Sequence, residues 1–281
     1  MIHELSICLW FDKNAKEAAD FYKNTFSEFE PISENPLAIN YRIYDRRFMH
    51  LNGGPGYPIN SSISFFLNIN EEEEIQRIWD IFMQDGGSIL MPLNTYPWST
   101  KYGWCADKYG VNWQIMLGHN SSAKIAPNFM FTGANNGKAT EAIDFYTQLF
   151  PKSEIQFKQF YEKGEQDIEG NVKYSQFLLN GQVFHAMESS MPDMQPFNEG
   201  ISFVITVDTQ EEIDYYWDHL VLNGQPGRCG WLKDRFGVSW QIVPSNLGKF
   251  MSNPKTAPKA TYAFLQMSKF VIADLEKAVQ S

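Results

Sequence analysis

Apolar and polar residues alternate along Val111-Asn112-Trp113-Gln114-Ile115-Met116, and again along Val238-Ser239-Trp240-Gln241-Ile242-Val243. A period of two is that of a β-strand. It puts Val111, Trp113 and Ile115 on one face and Asn112, Gln114 and Met116 on the other. In the same way it separates Val238, Trp240 and Ile242 from Ser239, Gln241 and Val243. The aromatic, β-branched face is expected in a core. The face with the amides is expected either to line a cavity or to meet water. Each strand follows a turn, Asp107-Lys108-Tyr109-Gly110 or Asp234-Arg235-Phe236-Gly237, whose glycine can take positive φ. Each therefore reads as the second arm of a hairpin.

The two hairpins belong to a longer repeat. Residues 103–115 and 230–242 agree at eight of thirteen positions, which marks an internal duplication. Other elements recur with it. An apolar run over residues 5–11 predicts a buried strand, followed by a helix capped by Asp12 or Asn14, with Ala15, Ala18, Ala19, Tyr22 and Phe26 at helical spacing. Residues 37–44 and 46–52 read as paired strands with a turn near Asp45. In the second of these, Phe48, His50 and Asn52 share one face, and Met49 and Leu51 share the other. Residues 62–69 read as a strand. A helix opening on Glu71–Glu74 has an apolar face of Ile75, Ile78, Trp79, Phe82 and Met83. A short strand at 88–91 and an aromatic loop, Tyr96–Tyr102, complete the first copy as βαβββ twice over. The second copy restarts with Phe129-Met130-Phe131 for Leu9-Trp10-Phe11. It continues with the helix 140–146, and with Val183-Phe184-His185 for Phe48-Met49-His50. It has no counterpart of the aromatic loop. A tail after Pro244 reads as one or two helices with an apolar stripe of Thr261, Phe264, Leu265 and Met267, then Val271, Leu275 and Val279. The expected domains are 1–118, a linker at 119–128, 129–244, and a helical tail at 245–281.

Composition narrows the function. The chain has 281 residues, 43% of them hydrophobic and 15% aromatic, enough for two well-packed domains. A net charge of −10 without a basic patch argues against nucleic acid or an anionic membrane as partner. Cys8, Cys105 and Cys229 are odd in number and far apart, so they read as free thiols in a reducing, cytoplasmic setting. No apolar stretch reaches the length of a membrane span. The glycine cluster Asn52-Gly53-Gly54-Pro55-Gly56 does not lead into a helix, so it reads as a loop and not a phosphate cradle. No strand leads through a glycine loop into a helix as a methyl-donor site requires, and no Gly-x-Ser-x-Gly or Cys–His pair suggests nucleophilic catalysis.

The tandem βαβββ order, with Phe21-Tyr22 and Phe145-Tyr146 in the first helices, resembles the vicinal-oxygen-chelate superfamily of glyoxalases, bleomycin-resistance proteins and extradiol dioxygenases. Leu9-Trp10-Phe11-Asp12, Asn52-Gly53-Gly54-Pro55 and the repeated Gly-Trp-x-x-Asp-x-(Tyr/Phe)-Gly-Val-x-Trp-Gln-Ile look like its PhnB-like branch, also labelled demethylubiquinone methyltransferase-like. The resemblance implies an α+β fold of two cupped mixed sheets with helices outside. Metal-dependent members hold a divalent ion with His, Glu or Gln from the first, fifth and last strands. Those positions fall on Ile7, Ser62 and Gln114, and in the second copy near Pro127, Gly200 and Gln241. The set is poor in ligands, so no metal and no other cofactor is expected. His50 and His185, matched on the fourth strands, are candidates for a metal, for a cavity wall, or for ordinary structural bonds. The expected ligand site uses Phe48, His50, Asn52, Trp98, Tyr102, Asn112 and Gln114, with His185 and Gln241 as second-copy counterparts. The expected function is metal-independent binding of a small molecule of unknown identity, in a sequestration or resistance role. The alternative is a metal-dependent lyase, isomerase or dioxygenase. A homodimer is compatible with either.

Overall fold

The computed structural model describes residues 2–118 and 123–280. Residues 119–122 of the expected linker at 119–128, His119 among them, lie outside the described residues. Four βαβββ motifs follow one another. The first is β1 (Leu5–Phe11), α1 (Ala15–Thr25), β2 (Phe29–Glu34), β3 (Ala38–Ile43) and β4 (Arg46–Asn52). The second is β5 (Ile63–Ile69), α2 (Glu72–Gln84), β6 (Ser88–Tyr96), β7 (Ser99–Ala106) and β8 (Asn112–Leu117). The third is β9 (Ile125–Thr132), α3 (Ala139–Leu149), β10 (Glu154–Phe160), β11 (Val172–Leu179) and β12 (Gln182–Ser189). The fourth is β13 (Ile201–Val207), α4 (Gln210–Val221), β14 (Gln225–Pro226), β15 (Trp231–Lys233) and β16 (Ser239–Pro244). The tail forms α5 (Leu247–Ser252), α6 (Ala257–Leu265) and α7 (Ile272–Gln280).

The motifs build two mixed eight-stranded sheets, and neither belongs to one copy of the repeat. One has the order β14-β15-β16-β13-β1-β4-β3-β2, the other β10-β11-β12-β9-β5-β8-β7-β6. The second sheet joins the two copies through antiparallel β5 and β9, with Ser64 opposite Asn128 and Phe66 opposite Ala126. The copies at 1–118 and 129–244 are thus repeats of sequence, while each sheet takes half its strands from each. Residues 125–128, expected in a linker, are the first residues of β9 and make this junction. The chain divides into two compact units, Met1–Ile7 with Ser202–Ser281, and Cys8–Ile201. The second unit holds the whole β6-to-β10 sheet.

The duplication holds to the residue. Trp104 faces Gln114 and Cys105 faces Trp113 across β7–β8; Trp231 faces Gln241 and Leu232 faces Trp240 across β15–β16. The parallel neighbours agree too, with Phe65 opposite Trp113 and Phe203 opposite Trp240. The repeated residues explain themselves. The Asp107 carboxylate accepts from the Tyr109 and Val111 backbone N–H groups at 2.9 and 3.1 Å, closing the turn. Its other oxygen takes Trp113 Nε1 at 3.0 Å and the Tyr22 hydroxyl of α1 at 2.6 Å. Asp234 does the same for Phe236, Val238 and Trp240. Gly103 has no side chain because Trp79 of α2 lies against it; a Cβ there would come within 2.5 Å of the indole. The signature is a staple for the hairpin.

In the Cys8–Ile201 unit, α1 and α2 pack on one another and on the strands through aromatic rings. Tyr22, Phe26, Phe65 and Phe82 surround Trp113, which is fully buried. His50 belongs to this core. Its Nδ1 donates to the Ala15 carbonyl at 3.0 Å, and the Tyr41 hydroxyl donates to its Nε2. The start of α1 is not capped by Asp12 or Asn14. Asn52 of β4 accepts from the Ala15 N–H at 3.1 Å instead. The same place in the third motif is taken by Glu188, which accepts from Ala139 N–H of α3 at 3.0 Å. Between β9 and α3 the chain does pass two positive-φ glycines, Gly133 and Gly137. The helix start they lead to is occupied by this carboxylate, so it offers no cradle for a phosphate or cofactor. Arg46, 2% exposed, donates to the carbonyls of Ile125 in β9 and Val183 in β12 at 2.7 and 2.6 Å.

Three other expectations change. The strand expected at 88–91 runs on to Tyr96, and the aromatic loop is the tip of the β6–β7 hairpin. The edge strand β2, exposed along most of its length, carries too little apolar pattern to announce itself. The tail has three short helices, and its fully buried side chains are Ala260, Phe270 and Leu275 rather than the whole expected stripe.

Candidate functional site

Helices cover one face of the β6-to-β10 sheet; the other face is where polar and soft side chains converge. Along β8 the parity is as the sequence predicts. Val111, Trp113 and Ile115 point to the helices, and Asn112, Gln114 and Met116 point away. Yet Asn112 and Gln114 are only 3% and 1% exposed, so this face is enclosed too. Neighbouring strands continue it. His185 of β12, Asn128 of β9, Ser64 of β5 and Asn112 of β8 are successive cross-strand partners, one straight row across four strands.

The row is wired. Tyr102 OH donates to Gln114 Oε1 at 2.6 Å, and Gln114 Nε2 donates to Ser64 Oγ at 2.8 Å. Asn128 Nδ2 donates to the same oxygen at 3.3 Å. Trp104 Nε1 donates to Asn112 Oδ1 at 3.1 Å. His185 Nδ1 donates to the Ser175 carbonyl at 3.1 Å, which fixes its tautomer and leaves Nε2 as an acceptor. Burial drives the His185 pKa down to about 4, and the Arg46 charge adds to the effect, so the ring is neutral at physiological pH. Asn128 Oδ1 is buried and has no hydrogen-bond partner. Leaving such an acceptor unmade costs about 1–3 kcal/mol.

Around the row lie Phe66, Tyr102, Trp104, Ala126, Met130 and Val183, with Tyr96, Tyr174, Leu178 and several methionines against them. Tyr174 stacks on His185 at 5.1 Å between ring centroids, and Phe66 meets it edge-on at 4.7 Å. Met91, Met116, Met130, Met187 and Met194 are five of the eleven methionines in the chain. Methionine is flexible and polarizable, so this floor is closed by side chains that can rearrange around a guest. Trp98, 59% exposed at the hairpin tip, stacks on Tyr96 and meets Tyr102 edge-on.

The structure therefore brings together Tyr102, Asn112, Gln114 and His185, with Trp98 at the rim. It separates them from Phe48, His50 and Asn52, which lie in β4 of the other sheet and face α1. The matching of His50 with His185 is off by one. Tyr41 pairs with Phe48 as Phe177 pairs with Phe184, so the counterpart of His50 is Ala186. A one-residue slip moves a side chain to the opposite face. Gln241, in the other unit, repeats the bond of Gln114 by donating to Ser202 Oγ at 2.9 Å. Ser64, Asn128 and Tyr174 were missed by the sequence reading, although their strand parity marks them in retrospect.

The strand positions expected for a metal do not carry one's ligands. Gln114 meets Ser64, not Ser62, and Ser64 in turn takes Asn128. That donor set is two amides and a hydroxyl, and Gln114 Oε1 already accepts from Tyr102. The row adds one imidazole, that of His185, and no carboxylate, a weak set for a divalent ion. A groove of about 190 Å³ beside α1, lined by Lys16, Lys23, Phe29 and Tyr41 among others, lies on the helix side, and its Lys16 is engaged with Asp20.

Comparison with known proteins fits this geometry. The model of the 3-demethylubiquinone-9 3-methyltransferase family matches residues 3–116 and again 123–243. The chain belongs to that PhnB-like family, as a tandem pair. A putative 3-demethylubiquinone-9 3-methyltransferase, PhnB protein, from Bacillus cereus is 35% identical over 42% of this chain and 96% of its own, with a TM-score of 0.39. Glyoxalase I from Zea mays is 11% identical over 86% of this chain and 92% of its own, with a TM-score of 0.58, a likeness of fold. No curated protein matches the chain. The chain's two mixed sheets and outer helices are consistent with a tandem vicinal-oxygen-chelate fold. Among the described residues no helix is long and apolar enough to cross a membrane.

Proposed function

We propose that the helix-free face of the β6-to-β10 sheet binds a small, largely apolar or aromatic molecule without a metal ion, in a sequestration or resistance role in the cytoplasm. The observation that carries this is the wired polar row, set in a floor of aromatic rings and methionines. A few fixed polar groups in an apolar surround are what a small-molecule site needs. Cys8, Cys105 and Cys229 form no disulfide with one another, in keeping with a reducing compartment. The metal-dependent lyase, isomerase or dioxygenase reading lacks support from the donor set. Methyl transfer, which the family's description names, lacks a residue set to hold a methyl donor.

A fragment screen by thermal shift on chelator-treated protein tests the reading. Hits are expected to raise Tm in the wild type and to lose most of that shift in His185→Phe and Gln114→Leu, while elemental analysis of the same sample finds no stoichiometric metal. Hits that need a restored divalent ion would return the chain to the metal-dependent class.

A further inference from the structure

The hydrogen bonds of the row also bear on what kind of molecule fits it, on the premise that this face is the binding site. The Gln114, Asn128 and Trp104 nitrogens each already donate within the row. Gln114 Nε2 and Asn128 Nδ2 go to Ser64, and Trp104 Nε1 goes to Asn112. Tyr102 OH goes to Gln114. The atom of the row that stands with no partner at all is an acceptor. Asn128 Oδ1 is a buried acceptor with no partner, and His185 offers the Nε2 lone pair because its proton is held on Nδ1 by Ser175. The two residues are direct cross-strand partners, so their side chains are neighbours on one face of the sheet. The hydroxyls of Ser64 and Tyr174 can turn to either role and so do not choose.

Charge decides further. The row holds no carboxylate to pair with a buried cation, and the Arg46 guanidinium, bonded to the Val183 carbonyl two residues from His185, opposes one. It holds no cationic side chain to pair with a buried anion either. Burying either ion without a partner is costly. We infer that the site selects a neutral, flat, apolar molecule bearing an O–H or N–H group that donates to Asn128 Oδ1 or His185 Nε2. A phenol, an aryl alcohol or an aryl amide meets that description. A carboxylate, an ammonium, or an ether of the same skeleton does not.

A matched naphthalene series tests this on the whole chain: 2-naphthol, 2-methoxynaphthalene, 2-naphthoate and 2-naphthylmethylamine. Binding is measured by calorimetry, and location by the methyl resonances of Met116, Met130 and Met187. Naphthol is expected to bind about tenfold tighter than its methyl ether, the factor that one buried unmade bond implies, and both ions are expected to bind more weakly still. In Asn128→Leu the preference of naphthol over the ether should shrink, with ether binding retained. If the four compounds shift the same methyls with equal affinity, or an ion binds best, the donor selectivity is wrong while the binding face stands. If none perturbs those methyls, the binding face itself is wrong and the inference goes with it.

Discussion

His50 and His185 look alike in sequence and are opposite in place, one under a helix and one on the floor of the site. Both are neutral for the same reason. Burial lowers the pKa of His50 to about 3 and of His185 to about 4. A histidine whose folded pKa lies below its unfolded value contributes stability above the unfolded value and loses it as pH falls toward the folded one. The chain should therefore lose stability between about pH 6.5 and pH 4, by roughly 2 kcal/mol per histidine at pH 5. Denaturant titrations at pH 7 and pH 5 check this, and His50→Gln should remove about half of the difference. A flat profile would mean that these rings are reached by water. At this scale the sequence was half legible. Alternation alone placed Gln114 and Asn112 on the right face of β8. It could not place His185, because matching Val183-Phe184-His185 to Phe48-Met49-His50 put aromatic on methionine, and only the strand partners show the slip. Asn128 was hidden because a strand opening on Ile-Ala-Pro-Asn resembles a linker.

The hairpin is the element that the repeat preserves, and the account gives it a structural duty. Asp107 gathers two backbone donors, an indole and the Tyr22 hydroxyl, so it ties the turn to α1 as well as to its own strand. Burial raises its pKa and those donors draw it back. Asp107→Ala leaves buried donors without an acceptor and should cost about 3 kcal/mol or more, while Tyr22→Phe, which removes one bond, should cost roughly 1 kcal/mol. Chemical denaturation of both variants gives the comparison. Equal small losses would show that the turn stands without its carboxylate. The hairpin's place and register were legible because turn chemistry, glycine spacing and period-two alternation all agree there. The β6–β7 hairpin was not, because Pro92, Pro97 and a run of aromatic residues mask a strand whose residues are mostly exposed.

For the whole molecule, the repeat was plain in the sequence and the way the copies combine was not. Nothing local in Ile63–Ile69 says that its neighbour opposite β8 is β9, a strand of the other copy; that choice is made by packing across the chain. The consequence is testable. A fragment of residues 1–118 would leave β5 without β9, an unpaired apolar edge. It is expected to be dimeric or aggregated, and co-expression with residues 123–281 should rescue a soluble complex. Sedimentation of the fragment measures this, and a stable monomer would contradict the pairing of the copies.

The central claim is that the helix-free face of the β6-to-β10 sheet is the binding site and works without a metal. A crystal structure of chelator-treated protein with the best screening hit addresses it most directly. The account predicts ligand density over the row from His185 through Asn128 and Ser64 to Gln114, with the methionine side chains displaced around it and no ion among those residues. Density on the helix side of the sheet, or an ion with Gln114 among its ligands, would contradict it.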